Sequence, residues 1–156
     1  MQRSGSRNDR KGRPVFLHMK RVLPIVLFAL AAPLLFANPA VFSKYEAIRQ
    51  GLLKNSLKDV QSSAKALSAA ATEAKNDTIA KAADSVATST DLEKARTAFG
   101  LLSDEMVKFR AAATGDKPAV AYCPMAKKRW LQSNKEEIAN PYEPAMKECG
   151  MWLTKD

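Results

Sequence analysis

The chain has 156 residues, a formal net charge of +9 and a single histidine, which is enough for one domain of ordinary size and too little for two. The first 37 residues hold seven of the 25 Lys/Arg residues and one of the 16 acids, so the rest carries 18 basic against 15 acidic side chains, a balance that removes the electrostatic argument for a nucleic-acid partner. His18 also falls in that first segment, which leaves the remainder without an imidazole and argues against triad hydrolysis and His-ligated zinc.

Met19-Lys20-Arg21 precede 16 uncharged residues, Val22 to Ala37, with the small residues Ala37 and Ala40 at the end of the run. A basic start, a short apolar stretch and a small residue match a secretory signal peptide over residues 1–37, with cleavage after Ala37. The stretch is shorter than the roughly 20 residues that cross a bilayer, and Pro24 and Pro33 interrupt it. Export to the periplasm follows, with no membrane attachment after cleavage. What remains, 38–156, reads as one helical domain with a helical body at 38–115 and a tail at 116–156.

From Phe42 the apolar residues Tyr45, Ile48, Leu52, Leu53, Leu57, Val60, Ala64, Leu67 and Ala71 recur at helical spacing, while Lys54, Lys58, Asp59 and Lys65 fall off the stripe. This predicts one long helix. Asn76-Asp77 breaks it, and Ile79, Ala82, Ala83 and Val86 make a shorter second helix. A third opens at Thr90-Asp91-Leu92-Glu93, which reads as a capping box led by the threonine. Its stripe is Leu92, Ala95, Phe99, Leu102, Met106, Phe109 and Ala113, and it should stop near Thr114-Gly115, before Pro118. The expected fold is all-α: an up-and-down bundle of three helices, closed by an irregular C-terminal segment with one more helix or a small hairpin around Trp130 to Ile138.

The tail differs in chemistry. Both cysteines, both tryptophans and three methionines lie within the last 34 residues. Cys123 and Met125 stand two apart across Pro124, and Met146 and Cys149 stand three apart, so each pair can turn two sulfurs toward one point. Two thiolates and two thioethers form a soft donor set that suits Cu(I) or Ag(I) rather than magnesium or calcium. Two other readings use the same residues. A Cys123–Cys149 disulfide in an oxidising compartment would close a loop worth about 3 to 4 kcal/mol in the chain-entropy model, and the methionines can serve as packing beside Trp130 and Trp152. Enzymatic activity is not expected, since the tail supplies no general base near the thiols and no Cys-x-x-Cys motif.

The segments Tyr122-Cys123-Pro124-Met125-Ala126, Trp130-Leu131-Gln132, Ile138-Ala139-Asn140-Pro141-Tyr142 and Met146-Lys147-Glu148-Cys149-Gly150, in that order, resemble the signature of an exported bacterial family of unknown function. That family is also found fused to the C-terminus of the periplasmic adaptor subunits of copper and silver efflux pumps. The resemblance extends to Ala64-Lys65-Ala66-Leu67 and Ala95-Arg96-Thr97-Ala98-Phe99. It implies copper ligands at Cys123, Met125, Met146 and Cys149, a scaffold of Tyr122, Trp130, Asn140, Pro141 and Tyr142, and an efflux adaptor as partner. Between the Cys-Pro-Met and Trp-Leu segments many members have a longer glycine-rich insertion, where this chain has only Ala126-Lys127-Lys128-Arg129.

Overall fold

The structure, a computed structural model, describes residues 39–155; the expected signal peptide lies outside them. Four helices, α1 (Pro39–Leu53), α2 (Leu57–Glu73), α3 (Asp77–Ala87) and α4 (Leu92–Ala112), precede three strands, β1 (Ala119–Cys123), β2 (Lys128–Gln132) and β3 (Met151–Thr154). Consecutive helices pack against each other, and α4 also packs on β2. Among the described residues no helix is long and apolar enough to cross a membrane.

The all-α expectation is therefore wrong on two points. The first is the number of helices. The stripe from Tyr45 to Ala71 is buried as expected at Tyr45, Ile48, Leu52, Val60, Ala64, Leu67 and Ala71, but it belongs to two helices that turn back on each other. Asn55 sits in the left-handed region at φ 55°, with its N–H on the Leu52 carbonyl and the Ser56 N–H on the Gly51 carbonyl. That pair of bonds is a Schellman ending. Ser56 then accepts the Asp59 N–H as N-cap of α2, so three residues close one helix and open the next. The α2–α3 connection repeats the device. Lys75 has φ 56°, its N–H and that of Asn76 bond back to Thr72 and Ala71, and Asn76 caps α3 through Ile79. The N-cap of α4 is Asp91, which accepts the Lys94 N–H, and Thr90 instead donates to the Asp91 carboxylate.

The second point is the tail, which is an antiparallel sheet of order β2-β1-β3. Ala121 lies opposite both Trp130 and Trp152, and Tyr122 opposite Arg129 and Met151. β1 is buried on both faces, at Ala119, Val120, Ala121 and Cys123, so its sequence lacks the apolar-polar alternation that marks a half-exposed strand. The hairpin turn is at Pro124 to Lys127, upstream of where one was expected.

β2 is an edge strand, and side chains from α1, α4 and the tail satisfy its free side. The Leu131 N–H donates to the Tyr45 hydroxyl at 3.2 Å, and the Tyr142 hydroxyl lies 2.6 Å from the Arg129 carbonyl. Ser103 Oγ stands between them, 2.7 Å from the Tyr45 oxygen and 3.0 Å from that of Tyr142. A carbonyl can only accept, so Tyr142 donates to Arg129, Ser103 donates to Tyr142, and Tyr45 donates to Ser103. Burial pushes both tyrosine hydroxyls well above the ordinary range, which keeps them protonated as this chain requires. Tyr45 stacks on Phe99 at 4.9 Å, and Tyr142 meets both Phe99 and Trp130.

A second polar hub holds the loop after β2. The Gln132 side-chain oxygen accepts from Trp130 Nε1, the Ala139 N–H and Arg49, while its nitrogen donates to the Asn134 carbonyl. Arg49 is buried, forks onto Glu46 and donates to the Ala139 carbonyl at 2.7 Å. Arg96 joins the Pro141 carbonyl to the Asn55 side chain. Every buried side-chain nitrogen and oxygen among the described residues has a partner.

The chain from Ile138 to Gly150 lies against Trp130. A Cβ placed on Gly150 would come within 2.8 Å of the Trp130 ring and 3.0 Å of Ile138. Gly150→Ala should therefore lower stability by about 1–3 kcal/mol, the usual cost of overpacking, read as a shift of the urea midpoint. Lys75→Gly should move the midpoint the other way, by up to about 1 kcal/mol, because it relieves a left-handed residue that carries a Cβ.

Candidate functional site

β1 ends at Cys123, and the hairpin turn folds its backbone over that residue. The Ala126 N–H points at Cys123 Sγ from 3.4 Å. The other cysteine arrives from the far end of the tail. Asn140 is buried and binds this segment at three points: its N–H donates to the Lys147 carbonyl at 2.6 Å, its side-chain nitrogen to the Cys149 carbonyl at 3.0 Å, and its side-chain oxygen accepts the Tyr142 N–H. The Cys149 N–H bonds to the Met146 carbonyl and the Met146 N–H to that of Glu143. These turns, with Gly150 pressed on Trp130, place Cys149 Sγ 3.2 Å from Cys123 Sγ. Both are free thiols.

The pair is unequal. Cys123 is fully buried and Cys149 half-buried. Burial opposes ionisation of Cys123, but the Ala126 N–H, the Cys149 thiol, the Met125 N–H and the Asn140 amide together bring its thiol below the ordinary cysteine value. Cys149 is pushed up, first by the hydrogen bond it gives to Cys123, then by burial and the Cys123 charge. When the pair gives up one proton, Cys123 is therefore the sulfur that carries the charge and Cys149 the one that keeps its proton.

Of the four candidate ligands, the structure joins the two cysteines. Met125 lies in the hairpin turn and Met146 in the segment before β3, with 70% and 40% of their surfaces exposed. Their recorded ties to the thiols run through backbone: the Met125 N–H acts on both sulfurs, and the Met146 carbonyl holds the Cys149 N–H. Met106 is fully buried, as its place on the α4 stripe implies. Among the described residues no group of three or more His, Cys, Asp or Glu side chains gathers for an ion. The structure brings together two thiols, and it joins Met125 and Met146 to them through backbone groups.

Reading the sequence alone did not reveal the Ala126 N–H, the serine between the tyrosines, or Arg49. Arg49 and Ser103 do carry a signal, since each stands at helical spacing inside an apolar stripe, between Tyr45 and Leu52 and between Phe99 and Met106. The Ala126 N–H leaves none, because a backbone donor is supplied by the turn and not by a residue type. Comparison with protein-family models, curated proteins and solved structures finds no match for the chain.

The opposed shifts fix a pH dependence for the reduced protein. Cys123, with its value depressed on folding, adds stability as pH rises from its folded value to the ordinary thiol value. Cys149, with its value raised, removes stability from the ordinary value upward to its own. The stability difference between the protein and its Cys123→Ser/Cys149→Ser variant should thus peak near pH ~8.5, the ordinary cysteine value. Urea unfolding in reductant at a series of pH values checks this, and a difference that rises or falls steadily through that range would contradict the assignment.

Proposed function

We propose that the chain is an exported periplasmic protein that binds Cu(I) or Ag(I) on the Cys123–Cys149 thiol pair, with Met125 and Met146 as thioether donors. The metal is cargo, held against adventitious chemistry or passed to an efflux adaptor. The observation that carries this reading is the meeting of two thiols, 26 positions apart in sequence, at 3.2 Å; Met125 and Met146, both exposed, are tied to the pair through their backbones. Metal–thiolate bonds near 2.3 Å bring both sulfurs at that spacing within reach of one ion. Soft d¹⁰ ions prefer these donors to oxygen ligands, and the Cys123 thiolate is prepared by its hydrogen bonds. The resemblance of the tail to the exported copper-associated family points the same way. No step of the reading requires a general acid, a general base or a nucleophile, so the protein is proposed as a binder and not an enzyme.

The same 3.2 Å favours a second reading, in which the two sulfurs are joined as a structural disulfide and no metal binds. An S–S bond is about 2.05 Å long, so closure requires a shift of about 1 Å in the segment carrying Cys149. Reduced protein should bind about one Cu(I) per chain. Cys149→Ser should weaken binding by at least about tenfold through loss of a soft anionic donor, whereas Met106→Leu should leave affinity unchanged because it alters only core packing. Titration against a chromophoric Cu(I) chelator reads both. Equal effects of the two substitutions, or no uptake by reduced protein, would decide for the disulfide.

A further inference from the structure

We infer that the Cys123–Cys149 pair is also a thiol–disulfide exchange site for external organic disulfides, in which Cys149 is the sulfur that enters and Cys123 the sulfur that resolves. The order follows from access. Exchange needs a nucleophilic sulfur to approach the partner disulfide along its S–S axis. Cys123 has no exposed surface and lies under the turn that carries the Ala126 N–H. Cys149 is half-buried and borders a surface hollow of about 480 Å³ lined also by Pro144, Ala145, Met146, Lys147 and Glu148.

In the first step Cys149 gives up its proton to water and, as thiolate, attacks one sulfur of R–S–S–R. The external bond breaks, a Cys149–S–S–R bond forms, and one R–S⁻ leaves and takes up the proton that Cys149 lost. Cys149 then has no proton to donate to Cys123, whose sulfur faces the Ala126 N–H at 3.4 Å. In the second step Cys123 attacks Cys149 Sγ, its neighbour at 3.2 Å. The Cys123–Cys149 bond forms, and the second R–S⁻ leaves and takes up the proton that Cys123 lost. Two protein thiols are oxidised, one external disulfide is reduced, and two R–SH are released. An external dithiol reverses the sequence. Exchange on this pair removes both thiolates at once, so it also empties the metal site; that consequence rests on the proposed function, whereas the order of attack does not.

The test exposes reduced, metal-free protein to oxidised glutathione and follows adducts by mass spectrometry. The protein should pass through a mixed disulfide to the internal one. Cys123→Ser should stop with one glutathione on Cys149, and Cys149→Ser should form an adduct at least about tenfold more slowly, since only the buried thiol is left. Circular dichroism checks that both variants fold. Limiting iodoacetamide on the unmodified sequence, with peptide mapping, gives the order without any substitution, and Cys149 should be labelled first. Equal labelling of the two sulfurs, or a glutathione adduct that persists in the protein with both cysteines, would overturn the inference. Prior loading with Ag(I) should slow the adduct, and the oxidised protein should take up no Ag(I). Failure of reduced protein to bind Ag(I) would defeat the proposed function and leave the exchange order standing on its own arms.

Discussion

The outer edge of β2 is the constraint on which the rest of the tail depends. In a sheet of order β2-β1-β3, one side of β2 has no strand to pair with, and a buried N–H or carbonyl without a partner costs about as much as a lost hydrogen bond. Tyr45 from α1, Ser103 from α4 and Tyr142 from the tail supply the partners as a single directed chain from the Leu131 N–H to the Arg129 carbonyl. The chain has only one consistent set of donors, so helices and sheet are held in one register. It also fixes Tyr142, hence the edge of Trp130 that the ring meets at 6.0 Å. Trp130 in turn sets the surface on which Gly150 lies. The position of Cys149 is thus decided by hydroxyls on two helices.

At the thiol pair the buried core meets solvent, with Cys123 fully buried and Cys149 half-buried. Elsewhere the polar groups have fixed donors and acceptors, as at Gln132, whose oxygen faces only donors and whose nitrogen faces only carbonyls. The two thiols meet at 3.2 Å in unequal environments, one buried beneath a turn and one facing the exposed segment from Pro144 to Glu148. The backbone donors that favour the Cys123 thiolate come from the hairpin turn.

Much of the helical body was legible because burial in helices leaves a periodic trace. The stripes through Tyr45, Val60, Ile79 and Phe99 are the buried faces, and Asn76 was readable as a boundary because its side chain competes for backbone N–H groups. The break at Asn55 was not readable, since apolar spacing runs through it without a missed step; the left-handed turn there is set by Asn55 itself and by tertiary packing of Gly51 on Val60. Thr90 and Asp91 are both good caps, and which one serves depends on where the chain enters α4. The sheet escaped because β1 is buried on both faces and β3 is four residues long. At the site, the sulfurs were legible from their residue types and their clustering. Their inequality was not, because it arises from turn amides and from Asn140, whose partners are backbone atoms.

The exposed methionines follow from how little freedom the tail retains. Met125 occupies a turn whose backbone amides are committed to the thiols, and Met146 a turn whose amide and carbonyl join Glu143 to Cys149. With both backbones fixed, each side chain can leave only toward solvent. An unbranched thioether is suited to that position, because it keeps its rotamers and can swing toward a neighbour without disturbing the chain. A branched apolar residue there would expose similar area with none of that reach. The tail therefore combines a hydrogen-bonded backbone, a pair of thiols 3.2 Å apart and two exposed thioethers, and its placement depends on the polar interior behind Trp130 rather than on the sulfur residues themselves.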